Sequence, residues 1–332
     1  MNSIGDMARQ LILSTHQSNL KQNLDNLAIQ VATGLTHDAS EHLNGEISVL
    51  ISINRSLEKI DAYQTNIVEA GLVASTTQSS LEIIQTSSQN VADSLIASEM
   101  TPEQSLMNSL SEDAENSLEV VVGELNRSLS GRFLYSGTST NTAAVYSSEE
   151  LLADVVTALT GSVNLDDVET GIETFFSYGG LFDTNAYQGS DNFISAIPLS
   201  ETESVAIEVT AQNDDIKEIL KPLVMAAIAT DSTLGLDVNV QTDILRKSGE
   251  NLYGAQSNIT ALRADLGMVE ARIEDASVKN ESERSAISLA KLNLIGVDAY
   301  EASVNYESAS VQLESLFAIT ARSSRLSLVD YL

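Results

Sequence analysis

The sequence predicts a mainly α fold with an α+β insert, in which long N- and C-terminal coiled-coil helices pair and carry a central outer domain. Three observations predict it. Apolar residues recur at spacings of three and four at both ends of the 332-residue chain; the rhythm fails over roughly residues 141–244; and acid is concentrated in that same stretch, which holds 18 of the 47 Asp and Glu but only 2 of the 17 Lys and Arg. A sustained three-four seam implies helices that bury one stripe against another.

Taken in order, residues 1–44 read as an inner helical segment and its loop. Leu13, Leu20, Leu24, Leu27 and Val31 form one stripe, which stops at a polar stretch bounded by Gly34 and Gly45. Residues 45–140 read as half of a helical rod. Leu50, Ile53, Leu57, Ile60, Gln64, Ile67, Gly71 and Ala74 resume the spacing, and Leu81, Ile84, Ser88, Val91 and Leu95 carry it as far as Glu99. A periodic stretch of that length without caps fits a coiled coil. Thr101 as N-cap, Pro102 at N1 and Gln104 at N3 then start another helix, expected to end near Gly131.

Residues 141–244 form the acidic insert. Val205, Ile207 and Val209 alternate along an expected strand over residues 204–210, and a short helix starting at Ile216 is expected to break or begin near Pro222. Residues 245–296 form the returning half of the rod, with Ile259, Leu262, Leu266, Val269, Ile273 and Ala276 in register. At Gly296 the helix relaxes, and Asp298 with Glu301 three residues on can cap a restart. Residues 297–332 are the C-terminal inner segment, whose seam runs through Ala302, Tyr306, Ala309, Leu313 and Leu316. Pairing the two ends should close the insert into a separate domain.

Composition excludes several functions. A net charge of -30 repels phosphate, so neither nucleic acid nor an anionic membrane is an expected partner. The absence of cysteine removes disulfides, thiolate zinc sites and cysteine nucleophiles together. The apolar run at residues 11–13 is too short for a cleaved signal peptide, whose core needs roughly 7–15 residues. No stretch reaches the roughly 20 apolar residues of a membrane span. Hydrophobic residues make up 43% of the chain but aromatics only 5%, with no Trp, so its cores must be aliphatic.

Several stretches carry a resemblance. QVATGL, the helix from LEKIDAYQ to LEIIQ, the turn GRFLYSGTSTNT, and above all ALRADLGMVEARIEDA with the ending LESLFAITARSSRLSLVDYL resemble the bacterial flagellin superfamily. The ending is more similar to that of the hook–filament junction proteins, which are hook-associated proteins, than to that of a filament flagellin. The resemblance covers roughly residues 1–140 and 245–332 and leaves out the insert. GLTHDASEHLNG departs from it, standing where the superfamily has a basic, Asp-rich loop.

The resemblance implies a secreted structural subunit of the extracellular flagellum, exported by the flagellar type III system without a cleaved signal peptide. It implies a junction between hook and filament, with filament flagellin as the alternative. The implied partners are copies of the chain in a ring, a neighbouring hook-associated protein on the hook side, flagellin on the filament side and an export chaperone before secretion.

The candidate assembly residues are Leu13, Leu20, Leu24, Leu27, Val31, Leu313, Leu316, Arg322, Arg325, Leu326, Leu328, Tyr331 and Leu332. An apolar, basic tail on so acidic a chain suits a subunit lattice. The terminal stripes are too thin to stand alone, so the tail is expected to lack a sufficient partner in its own chain and to order against neighbouring subunits. The reading from another class is a metal-dependent enzyme built on His37 and His42, which stand four residues from Glu41 and Asp38 respectively. A solvated loop explains the same residues, and no catalytic, cofactor or metal residue is assigned.

Overall fold

The computed structural model describes residues 4–98 and 103–329, excepting the side chains of residues 4–7, 10 and 323–329. Helix accounts for 73% of the chain. The elements run α1 Ile4–Thr33, α2 Ala39–His42, α3 Ser48–Ala97, α4 Gln104–Leu125, β1 Ser128–Leu129, β2 Arg132–Phe133, α5 Ser148–Ala158 and α6 Leu165–Phe176. A π-helical turn at Phe182–Ala186 follows, then β3 Ile197–Pro198, β4 Ser204–Val205, α7 Asp214–Ala227, α8 Val238–Ile295 and α9 Ala299–Val329. By its contacts the chain divides into one unit of Met1–Ala62 with Asn280–Leu332 and a second of Tyr63–Lys279.

The second unit holds one continuous hydrophobic core. Within it α3 and α8 run antiparallel: the Gln64 amide faces Ser277, Gly71 meets Ile273, Gln85 bonds Thr260 at 2.9 Å, and Gln256 bonds Ser88 at 3.1 Å. Helix α7 buries Ile216, Ile219, Leu220 and Leu223, and packs on α4, which buries Leu110, Ala114, Leu118 and Val121. The Ser111 hydroxyl of α4 is shared between the carbonyls of Ala226 and Ala227, at 2.9 and 2.8 Å, and so ties α4 to the end of α7. Phe175, Phe176 and Phe182 fill the space beside α6, with ring centroids 5.2 and 4.8 Å apart in successive pairs. The insert therefore shares its core with the rod helices, and the expected closed, separate domain is not what these contacts form.

Acid in the insert has a local explanation. Helices α5, α6 and α7 each begin with two acidic residues in the first turn: Glu149 and Glu150, Asp166 and Asp167, Asp214 and Asp215. Negative charge there complements the exposed N–H groups of a helix start. Ser147 and Glu150 add a reciprocal capping box, and Asn164 and Asn213 cap α6 and α7.

Four local expectations are corrected. The helix expected to end near Gly131 ends at Leu125, because the Asn126 side chain bonds both the N–H and the carbonyl of Val145, at 2.9 and 2.7 Å. Gly131, with Ser130, makes instead the left-handed turn of the β1–β2 hairpin, at φ of 79° and 52°. Gln104 opens α4 after an extended Glu103, so it is not at N3; Thr101 and Pro102 lie outside the described residues. The strand over 204–210 shrinks to Ser204–Val205 paired with Ile197–Pro198, since no neighbour continues the ladder, although Val205 and Val209 stay buried. Pro222 lies inside α7 and is buried, neither breaking nor starting it.

Gly249 of α8 lies against α3, and a Cβ built on it would stand 2.9 Å from Leu95 Cβ. Ala ordinarily stabilises a helix interior over Gly by about 1 kcal/mol. Here the obstructing atom is fixed to the α3 backbone, so the sign should reverse. Gly249→Ala is expected to destabilise the protein by about 1–3 kcal/mol in chemical denaturation; a gain in stability would show that the helices separate freely at this point.

Candidate assembly surface

In the first unit α1 and α9 pack on each other. Thr36 N–H donates to the Ile295 carbonyl and Val297 N–H to the Gly34 carbonyl, both at 2.9 Å, which ties the end of α1 to the start of α9. Asp298 caps α9, its Oδ1 accepting from the N–H groups of Tyr300 and Glu301 at 2.8 and 3.2 Å. From this joint the two helices run antiparallel, and the Lys21 ammonium lies 5.9 Å from the ring centre of Phe317. Arg284 of α8 pairs with Asp61 of α3 at 2.8 Å in the same unit, and the bond to Asp61 raises the guanidinium above its ordinary range.

The tail was expected to want for a partner in its own chain; α1 supplies one along α9. Leu27 is buried, and Leu13, Leu20, Leu24, Leu313 and Leu316 are half-buried. Val31 is exposed, as is Arg322. Arg325, Leu326 and Leu328 fall within α9, but their side chains, like the whole of Tyr331 and Leu332, lie outside the described residues.

What this pairing leaves uncovered marks the surface. Among the described side chains the first unit buries five hydrophobic residues, Leu27, Ile60, Ile295, Ala302 and Ala309, and exposes fifteen large ones. The second unit buries 51 and exposes twelve. Leu11, Ile12, Val304, Val311 and Ile319 are 69, 57, 47, 56 and 57% exposed on α1 and α9. Water disfavours exposed apolar area on this scale, which makes these residues the candidate contact surface among the described side chains. The first unit is also nearer neutrality: 14 acidic and 8 basic residues, against 33 and 9 in the second.

These off-seam residues are the ones sequence reasoning missed. Val304 and Val311 repeat at seven and Ile319 follows at eight, a second stripe beside the seam that could have revealed them. Asp38 Oδ1 accepts from the Glu41 N–H at 2.9 Å and caps the one-turn α2, His37 and His42 are exposed, and no three His, Asp or Glu side chains converge among the described residues. Nor is any described helix long and apolar enough to cross a membrane.

Residues 250–332, the later part of α8 and all of α9, match the family model for the bacterial flagellin C-terminal helical region. A comparison with curated proteins finds no significant match. Among solved structures, that of a Vibrio parahaemolyticus protein described as flagellar hook-associated aligns with 74% of this chain and 96% of that one, at 13% identity and a TM-score of 0.47. Over residues 250–332 the chain is thus similar to the C-terminal helical region of bacterial flagellins.

Proposed function

We propose that the protein is a non-enzymatic structural subunit of the bacterial flagellum that assembles with copies of itself through α1 and α9, and that it forms the junction between hook and filament. The observation that carries the structural role is the coincidence of two findings on one segment. The α9 helix lies within the flagellin-like region, and it exposes Val304, Val311, Phe317 and Ile319 beyond anything its own chain covers. The finer junction role, with a hook-associated protein on one side and flagellin on the other, is supported by the ending LESLFAITARSSRLSLVDYL and its resemblance to junction proteins. Export through the flagellar secretion machine with a chaperone belongs to the same reading. Filament flagellin is the second reading, favoured by the same C-terminal match.

Two experiments decide between them. A strain lacking the gene should bear hooks without filaments under electron microscopy, with flagellin released to the medium; a chain that instead polymerises without limit when purified would be a flagellin. Leu316 is a poor probe of assembly because it is half-buried against α1, so Leu316→Asp would disturb the fold of the pair as well. Val311→Asp with Ile319→Asp places charge on residues already exposed. The double variant should retain wild-type helicity and export, yet fail to restore filaments, while Tyr253→Asp on the exposed face of α8 restores them fully. Normal filaments with the double variant would remove α9 from the assembly surface.

A further inference from the structure

The second unit contains an open cleft of about 630 Å³ with two exposed aromatic rings, Tyr178 and Phe193, in its lining. Tyr178 is fully exposed and Phe193 is 46% exposed. Two exposed rings lining one cleft are available to stack on a ligand, and here both loops are held rigid. The Tyr178 turn is pinned by Asp183, whose Oδ2 accepts from Gly179 N–H at 2.9 Å while its Oδ1 accepts from Lys217 Nζ at 2.6 Å. On the other side, Thr138 N–H donates to the Asn192 carbonyl at 2.9 Å, and Ser190 is bonded through its N–H to Ser136 and through its carbonyl to the Tyr187 hydroxyl. Gly137 lets these strands approach so closely that a Cβ there would meet the Ser190 carbonyl.

The polar part of the cleft is mixed. Lys217 is buried, its side chain only 6% exposed, and its ammonium makes one hydrogen bond within the chain, to Asp183, and lies 5.6 Å from the Phe182 ring centre. The ammonium thus keeps unused donor capacity, and the residue lines the cleft. Gln212 offers an amide that bonds no described residue, and Asn213 keeps its amide N–H groups, since only its Oδ1 is engaged, by the Asp215 N–H. Asp183, Asp191 and Asp214 outnumber Lys217, so the cleft repels anions. Acceptors alone would suit a cation; donors and acceptors together, beside flat apolar rings, suit hydroxyl groups, each of which both donates and accepts.

We propose that this cleft binds a neutral sugar, its C–H face stacked on Tyr178 or Phe193 and its hydroxyls bonded to Gln212, Asn213 and Lys217. The volume is of the size that a di- or trisaccharide fills, and the pinned loops lower the ordering cost of binding. The inference stands independently of the flagellar reading.

The full chain is applied to an array of neutral hexose and N-acetylhexosamine oligosaccharides printed beside sialylated and sulfated counterparts, and the neutral oligosaccharide retained best is titrated by calorimetry. Retention of neutral oligosaccharides is expected, with affinity reduced by about tenfold in Tyr178→Ala and in Phe193→Ala. Tyr178→Phe, which keeps the ring, should bind within a few-fold of wild type, as should Tyr253→Ala, distant in sequence and outside the cleft lining. The substituted side chains are exposed, so circular dichroism should confirm unchanged folding. Retention of acidic glycans only, no retention at all, undiminished binding by the Tyr178→Ala, Phe193→Ala double variant, or preferential binding of an Arg- and Lys-rich peptide at this cleft would each overturn the proposal.

Discussion

The antiparallel contact between α3 and α8 is the constraint on which the second unit depends. Stepping along α3 from Gln64 to Leu95 accompanies stepping back along α8 from Ser277 to Gly249, so one register holds over some 45 Å of helix. Apolar packing alone would let two such stripes slide by a turn. Polar pairs forbid it: Arg263 reaches Gln85 at 2.6 Å and Glu82 at 3.3 Å, and Gln256 reaches Ser88, and a slip would leave these groups unpaired in a half-buried seam. Gly71 and Gly249 allow the backbones close enough for those bonds to form. Because the contact brings Leu95 to Gly249, the chain between them must return on itself, and α4 and α7 do so by extending the same core.

Much of the helical architecture was legible because its causes are local. The three-four spacing, the relaxation at Gly296 and the Asp298 cap all act within a few residues of where they are read. Where the fold was misjudged, the deciding partner is distant. Helix α4 stops at Leu125 because Asn126 finds Val145, nineteen residues on, and nothing before that pairing distinguishes residues 126–131 from another turn of helix. Residues 206–210 alternate as a strand would and still lack a ladder, since alternation reports two environments and not a neighbour to bond. Acid marks the insert in the sequence, and six of those carboxylates serve helix starts, a role the sequence does contain once the starts are placed.

The apolar stripes of the terminal helices were legible in place, and what they pair with was not, for a related reason. A seam reading finds the stripe that a helix buries first, and on α1 and α9 that stripe is used within the chain, around Leu27, Ala302 and Ala309. The exposed apolar residues lie beside the seam, where Val304, Val311 and Ile319 look isolated until the α1–α9 pairing shows which side is already taken. Intramolecular and intermolecular burial draw on the same amino acids, so periodicity alone does not separate them.

Charge and exposure together explain why these roles fall to different parts of the chain. The first unit carries only five buried hydrophobic residues, Leu27, Ala302 and Ala309 on α1 and α9 and Ile60 and Ile295 on α3 and α8, so α1 and α9 are marginal while isolated. Association that covers the remaining apolar faces then stabilises the pair by mass action, and folding of the segment and assembly become linked equilibria. Such association would be opposed by dense like charge. With 14 acidic and 8 basic residues the first unit keeps its net charge near -6, whereas the second, whose large core needs no further cover, carries -24 and repels its copies wherever they approach unscreened. Under the proposed role the acidity thus acts selectively within the chain, opposing association least where the terminal helices expose apolar residues.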